Sequence, residues 1–307
     1  MTARIGPLPL PLALDVGGVV EGRLLGRGGQ GRVVEVSGGP IPAGQERLAA
    51  KWYLPSVRLD AAALTRLVAW RRSLPGDERA ALDRVACWPR CVLLRDGRAA
   101  GVLLPLAPDR FHRTVRLPSG STGRGLRELQ HLIAGPALLA RRRVPDVGTV
   151  DRLRVLAGFA DTVAFLHDRG VVLGDLSVKN LLWCCDNATA DTYLLDCDAL
   201  RLTGTDPAVP QPNSPGWDDP AFPGTQNQQS DRYKLALAVL RVLARDFHTR
   251  DPERAAAAIG RRFLPLLRAG LDPRPDVRPP AASWPGPLSE RSIQLQHDES
   301  EEVSSQP

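Results

Sequence analysis

The chain has 307 residues, of which 43% are hydrophobic and 24% charged, a globular composition that allows one large domain or two lobes. The net charge of +6 comes from scattered arginines with few aromatic residues among them, so we expect no nucleic-acid partner. No apolar run approaches the ~20 residues of a membrane helix and no secretory signal is recognisable, which predicts a cytoplasmic protein without a membrane partner. Five cysteines, an odd number, favour buried free thiols over a disulfide framework.

The first third of the chain is predicted to form a small lobe over residues 19–107, after a Pro/Leu/Gly-rich N-terminal extension over residues 1–18. Helical spacing over residues 60–72 predicts one helix, and Asp96-Gly97 is a strong hairpin signal. Short apolar runs separated by glycine-rich turns predict five antiparallel strands, near residues 19–25, 32–36, 48–53, 91–94 and 101–104.

Residues 108–285 are predicted to form a larger, mainly helical lobe, which makes the fold class α+β. Residues 149–168 have the spacing of an amphipathic helix, and residues 231–245 that of a buried one. The acidic segment 286–307 is predicted to be disordered, because it offers too little apolar surface to bury.

Three glycines, Gly26, Gly28 and Gly31, form a G-x-G-x-x-G-x-V pattern that ends at Val33. Glycines in a strand-turn-strand let phosphate oxygens approach the backbone amides closely. A dinucleotide-binding turn would need a helix after the glycines, whereas residues 32–36 have the pattern of a strand. Lys51 follows at the end of the third strand, where a buried ammonium would face the phosphates of a nucleotide; alternatively it is an edge charge.

Four polar residues follow the 149–168 helix in an order that suits phosphoryl transfer. Asp175 can accept the proton of an attacking hydroxyl, and Asn180 can ligate a metal through its amide oxygen. Lys179 can neutralise charge on the transferring phosphoryl group. Asp196 follows the apolar run 193–195, a position that suits a metal-binding carboxylate. Each residue alone is consistent with ordinary turn chemistry, but their order and spacing favour a common site.

These signals together resemble the eukaryotic-type serine/threonine protein kinases over residues 19–285. The resemblance implies a bilobal protein-kinase-like fold with ATP and Mg²⁺ (or Mn²⁺) as cofactors. It also implies transfer of the γ-phosphoryl group to Ser/Thr hydroxyls of a protein substrate, the chain itself included. More closely, the chain is similar to a divergent bacterial group often encoded beside a metal-dependent phosphatase and a von Willebrand A-domain protein. A cognate phosphatase is therefore an expected partner.

The resemblance assigns site residues by position. Asp175, Lys179 and Lys51 would be catalytic, Asn180 and Asp196 would hold the metal, and Leu104 to Leu106 would form the hinge. His167 would be structural, and Asp231 would fix the backbone of the catalytic loop. The implied ATP-binding residues are Leu25, Gly26, Gly28, Gly31, Val33, Ala49, Lys51, Leu104, Leu106 and Leu182.

The departures from the family pattern have consequences of their own. Leu173-Gly174 replaces the usual His-Arg, so we do not expect loop phosphorylation to be the activating switch. Asp198 replaces a glycine, and it either adds a metal-ligating carboxylate or restricts the loop. Asp219-Pro220-Ala221 replaces the Ala-Pro-Glu element, which would leave Arg278 without a partner.

Lys51 is expected to lack its usual partner, because the helix over residues 60–72 contains no glutamate. Asp60 is the only acidic candidate there, although it suits an N-cap better. A buried lysine without a carboxylate would have a lowered pKa. These losses leave two alternatives to an active protein kinase: a nucleotide-binding pseudokinase that acts as a regulatory scaffold, and a small-molecule kinase.

Overall fold

The computed structural model describes residues 10–39, 47–116, 121–142, 144–186, 189–211 and 214–304. The chain divides into two compact units. Unit 1 comprises Met1–Ala107 and Leu195–Gln211, and unit 2 comprises Pro108–Leu194 and Pro212–Pro307. The predicted boundaries placed residues 195–211 with the larger lobe, whereas the structure places them in unit 1.

Unit 1 contains a six-stranded sheet with the strand order β1-β5-β6-β4-β3-β2. The strands are β1 (Ala13–Asp15), β2 (Val20–Gly28), β3 (Gly31–Gly38), β4 (Leu48–Tyr53), β5 (Cys91–Arg95) and β6 (Arg98–Pro105). The five predicted strands are present as an antiparallel set, but β1 adds a sixth strand parallel to β5. Residues 13–15, predicted to be part of an N-terminal extension, form a strand of the sheet instead, and Val92 N donates to Leu12 O at the same edge.

Two helices, not the single one predicted, connect β4 to β5: α1 (Ala61–Ser73) and α2 (Gly76–Val85). The Asp60 carboxylate accepts a hydrogen bond from Ala63 N (3.0 Å), so its interpretation as an N-cap is confirmed. The segment Leu195–Gln211 joins this unit through the bond from Asp60 N to Ala208 O (2.8 Å).

The two faces of β4 have different neighbours, because successive strand residues point to opposite sides of a sheet. Leu48, Ala50 and Trp52 belong to one apolar cluster, together with Leu103 of β6 and Leu93 of β5. The alternate residues of β4, Ala49, Lys51 and Tyr53, therefore share the opposite face. This register places the predicted site lysine on the side of the strand away from that cluster.

Unit 2 is mainly helical and contains two antiparallel hairpins, β7 with β8 and β10 with β11. Helices α5 and α6 form much of its core; twelve residues of α5 and thirteen of α6 are buried, which fits their predicted apolar faces. The elements are β7 (His112–Arg116), β8 (Thr122–Leu126), α3 (Gln130–Ile133), α4 (Pro136–Arg142), α5 (Thr149–Asp168), β9 (Val171–Val172), β10 (Leu181–Asp186), β11 (Thr189–Leu194), α6 (Gln228–Ala244), α7 (Ala256–Ile259), α8 (Leu264–Gly270) and α9 (Pro285–Ser304). The two-residue strand β12 (Arg201–Leu202) lies in unit 1.

The acidic C-terminal segment is helical as far as Ser304, so the prediction of disorder over residues 286–307 was wrong for its described part. Leu288 and Ser292 are buried on one face of α9, which packs against α5. Arg154 of α5 donates to Gln296 (2.7 Å). A narrow stripe at helical spacing is enough to dock the helix, while Asp298, Glu299 and Glu301 are exposed.

The described cysteines are free, and four of the five are buried, which confirms the thiol interpretation. Within the described ranges, the helices are all too short or too polar to cross a bilayer.

Candidate functional site

The glycine-rich pattern forms the β2–β3 hairpin, in which Gly28 pairs with Gly31 across the turn. A Cβ atom on Gly31 would lie 1.9 Å from Trp52 O, so this glycine is required by the close approach of β4. A Cβ atom on Gly26 or Gly28 would meet nothing within 4 Å. Gly26 and Gly28 therefore leave open space beside the hairpin backbone, as a phosphate-binding loop requires.

Lys51 lies on β4, which is an inner strand between β3 and β6, so the alternative interpretation as an edge charge was wrong. Its side chain is buried, and its Nζ donates to Asp196 Oδ1 (3.2 Å) and Asp198 Oδ1 (3.0 Å). Both carboxylates come from the segment after β11, about 145 residues along the chain. The expectation that Lys51 would lack a carboxylate partner was therefore wrong.

The electrostatic balance at Lys51 is opposite to the one expected from the sequence. Burial lowers the pKa of Lys51, but the charges and hydrogen bonds of Asp198 and Asp196 outweigh this effect, so the pKa is raised overall. Lys51 is consequently a fixed positive charge.

Tyr53 completes a group of four residues that we call the lysine cluster: Lys51, Tyr53, Asp196 and Asp198. Tyr53 shares a face of β4 with Lys51, and its hydroxyl donates to Asp198 Oδ2 (2.6 Å). Burial and the charges of Asp198 and Asp196 raise the pKa of Tyr53 well above its ordinary value, so the hydroxyl remains a donor. Asp198 is fully buried between the two.

Asp196 differs from Asp198 in exposure, since half of its side chain is accessible. Its backbone adopts a left-handed conformation (φ 52°, ψ 35°), which is uncommon for a residue other than glycine. Asp196 directly precedes the short helical turn Cys197–Ala199, and Asp198 lies buried in this turn.

The predicted adenine-contacting residues fall into both units. Ala49 and Leu104 are buried and pair across β4 and β6, and Val33 pairs with Lys51 across β3 and β4. Leu25 is exposed, and Leu106 N donates to Arg47 O (2.8 Å) just beyond β6. Leu182 is buried on β10 of unit 2.

In unit 2, the segment Leu173–Asn180, which we call the aspartate loop, is held by α6. The buried Asp231 carboxylate accepts from Leu173 N (2.8 Å) and Gly174 N (2.9 Å). His167 Nε2 lies 3.2 Å from the same carboxylate. The structural roles expected for Asp231 and His167 are confirmed.

Lys234, one turn further along α6, also holds the aspartate loop, and sequence reasoning missed it. Its Nζ donates to Gly174 O and to Gln226 Oε1, both at 2.6 Å. Burial lowers the pKa of Lys234, while Asp231 and Asp175 oppose this effect. The signal in the sequence is a lysine inside an otherwise apolar helical face.

The predicted catalytic side chains of unit 2 lie together on this loop. Asn180 Nδ2 donates to Asp175 O (3.2 Å), which leaves its amide oxygen as the ligating atom. Ser214 Oγ donates to Asp175 Oδ1 (2.9 Å), a contact that the sequence did not indicate. Lys179 is exposed.

Arg278 has a partner, contrary to the expectation from the altered Ala-Pro-Glu element. Its guanidinium forms a buried bidentate pair with Asp219, with bonds of 2.5 and 3.0 Å. Asp219 therefore supplies a carboxylate at a position where the family pattern did not predict one.

The donors predicted for a metal suit a hard cation. Over the described ranges, no three His, Cys, Asp or Glu side chains form a metal-binding group. Mg²⁺ typically takes one or two protein carboxylates together with waters and substrate phosphates. The accessible Asp196 carboxylate of unit 1 is a donor of this kind, and so is the Asn180 amide oxygen of unit 2.

Comparison with known proteins gives a match in structure but not in sequence. No family model and no curated protein matches the chain. The crystal structure of the Mycobacterium tuberculosis PknI kinase domain matches with a TM-score of 0.58 and 16% identity, covering 92% of this chain and 99% of that one. A double mutant of the same domain matches with the same TM-score and 15% identity. The chain therefore has a protein-kinase-like fold.

Proposed function

We propose that this protein is a protein kinase that transfers the γ-phosphoryl group of ATP to serine or threonine hydroxyls of a protein substrate, the chain itself included. The observation that carries the proposal is the hydrogen bond from Ser214 Oγ to Asp175 Oδ1 (2.9 Å). A carboxylate that accepts a bond from a serine hydroxyl is suited to accept the proton of an attacking hydroxyl. The fold supports the assignment, but the site has to carry it, because one fold hosts many functions.

The proposed reaction forms a bond between the acceptor oxygen and the γ-phosphorus and breaks the bond from that phosphorus to ADP. Asp175 takes the hydroxyl proton, and Lys179 neutralises charge on the transferring group. Lys51 binds the α/β-phosphates, and the open glycine hairpin offers them its backbone amides.

Asp196 and Asn180 are the proposed ligands of Mg²⁺ or Mn²⁺. The cation would neutralise charge on the nucleotide phosphates. A cognate phosphatase that reverses the modification is the proposed partner.

A nucleotide-binding pseudokinase is the second candidate, and one observation favours it. The Lys51 ammonium already pairs with two carboxylates, neither of which belongs to α1. A lysine held in this way binds phosphate only if it can exchange or share these partners.

The deciding experiment measures incorporation of labelled γ-phosphate from ATP, with Mg²⁺ or Mn²⁺, into the protein and into a generic basic substrate. Asp175→Asn should lower incorporation by about 100-fold or more and leave nucleotide binding nearly intact, because general-base catalysis contributes ~10²–10⁴. Asp168→Asn is the matched control, since Asp168 is exposed at the end of α5. Unchanged turnover in Asp175→Asn would refute its role, and an inactive wild type that binds ATP would favour the pseudokinase.

A further inference from the structure

We infer that Asp198, assisted by Tyr53, is the positioning carboxylate for Lys51 and not a metal ligand. The expected effect on phosphoryl transfer rests on the proposed function, whereas the structural role of Asp198 does not. Both oxygens of Asp198 are engaged within unit 1: Oδ2 lies 2.8 Å from Lys51 Nζ and 2.6 Å from the Tyr53 hydroxyl, and Oδ1 lies 3.0 Å from Nζ.

Burial separates the roles of the two aspartates. The Asp198 side chain has no accessible surface, whereas half of the Asp196 side chain is exposed. A hydrated divalent cation needs a carboxylate that it can reach, and Mg²⁺ gives up its water reluctantly. Asp196 meets this requirement, and Asp198 is instead shielded by a cation and a hydroxyl donor of the protein.

The register of β4 explains why this anchor is well defined. Lys51 and Tyr53 are two residues apart on one strand, so their side chains leave the same face and converge on one carboxylate. The carboxylate arrives on the turn Cys197–Ala199, in which Ala199 N donates to Asp196 O (3.0 Å). Asp198 thus both fixes Lys51 and attaches the segment Leu195–Gln211 to the sheet of unit 1.

This anchor also replaces the missing helical glutamate. The sequence of α1 contains no acidic residue, and its neighbour Asp60 is engaged as the N-cap. Lys51 is therefore positioned by the segment after β11, and its orientation does not depend on a carboxylate from α1.

The first test needs neither metal nor nucleotide: hydrogen exchange by mass spectrometry in buffer with a chelator. Asp198→Asn should raise exchange across Leu195–Gln211 by about tenfold or more, because the loss of a charged hydrogen-bond acceptor weakens the attachment of this segment. Tyr53→Phe should raise exchange in this segment less than Asp198→Asn does. The double variant should raise it by less than the sum of the two single effects, because Tyr53 and Asp198 contact each other. Asp206→Asn, an exposed aspartate of the same segment, should leave exchange unchanged.

The second test measures phosphoryl transfer against Mg²⁺ concentration for the same variants. Asp198→Asn and Tyr53→Phe should both lower kcat/KM, by about tenfold and about threefold, as expected for loss of a charged and a weaker contact. Unchanged exchange, combined with a tenfold higher Mg²⁺ requirement in Asp198→Asn alone, would make Asp198 a metal ligand and overturn the inference. Altered exchange in a protein without transferase activity would refute the kinase proposal but support the anchor.

Discussion

The lysine cluster of unit 1 and the aspartate loop of unit 2 are held in different ways. In the loop, the Asp231 carboxylate accepts hydrogen bonds from the backbone amides of Leu173 and Gly174. Lys234 donates to the backbone carbonyl of Gly174. In the cluster, Lys51 Nζ donates instead to the side chains of Asp196 and Asp198.

This difference determines which contacts depend on the identity of a side chain. Backbone contacts do not depend on the side chains of residues 173 and 174, so Leu-Gly can replace His-Arg without loss of these bonds. Side-chain contacts depend on residue identity, so the loss of a carboxylate in α1 requires another carboxylate. Asp198 supplies it.

The largest expected effect comes from removing the contact that fixes the backbone of the aspartate loop. Asp231→Ala leaves two buried amides without an acceptor, and each costs ~1–3 kcal/mol, so we expect a loss of about 4 kcal/mol in the free energy of unfolding. Urea denaturation measures it, and Asp231→Asn, which keeps one acceptor oxygen, should lose less. A loss of about 1 kcal/mol or less would show that other contacts hold the loop.

Lys51→Ala tests the side-chain anchor of unit 1. It leaves the buried Asp198 charge without its cation, which typically costs ~3–5 kcal/mol; because Tyr53 still donates to Asp198, we expect about 3 kcal/mol. ATP binding or transfer should also fall by more than tenfold, or about 1.4 kcal/mol. Calorimetry with ATP and urea denaturation check the two parts, and an unaffected variant would show that the cluster is dispensable.

Lys234→Met should affect activity more than stability. Gly174 O loses a donor, but removing a buried ammonium, whose pKa is lowered by burial, offsets part of the cost, leaving about 1 kcal/mol. Because Gly174 precedes Asp175, we expect phosphoryl transfer to fall about tenfold, equivalent to about 1.4 kcal/mol. A stability loss without a change in transfer would make Lys234 purely structural.

An exposed ion pair gives the smallest effect and serves as the reference. Arg245 binds Asp146 at 2.9 Å, but 43% of the Asp146 side chain is exposed, so Arg245→Met should cost about 1 kcal/mol or less. Burial raises the pKa of Asp146, but hydrogen bonds from Arg245 and Val147 N and the charges of Arg245 and Arg152 lower it overall. The pKa of Asp146 is lower in the folded protein than in the unfolded chain. The stabilisation by this ion pair is therefore fully present at pH values above the unfolded pKa.

The same contribution is lost as the pH falls through the folded pKa. The difference between wild type and Arg245→Met should therefore narrow below about pH 4. Urea denaturation as a function of pH measures this. A difference that persists in acid would assign the effect to the bond from Arg245 to Ala134 O (2.7 Å).

Local patterns predicted most of the elements and the residues of the aspartate loop. The five antiparallel strands and the helices α5 and α6 follow from periodicity, and the loop follows from spacing within a short stretch of chain. Two errors in the fold occurred where a segment acquires its structure from a neighbour: β1 through the edge of β5, and α9 through the surface of α5. The β1 strand has only three residues and follows Pro9 and Pro11, and α9 has few apolar residues, so neither could be predicted by itself.

The sequence by itself determined the order of the glycine hairpin, Lys51, Asp175, Asn180 and Asp196, because each motif is local. It did not determine what holds them. The tertiary structure decided that Asp198 lies against Lys51, which is 147 residues away, and that Asp219 faces Arg278. The physical reason is that a buried charge must find an opposite charge or a donor, and only the folded chain brings a distant residue within reach.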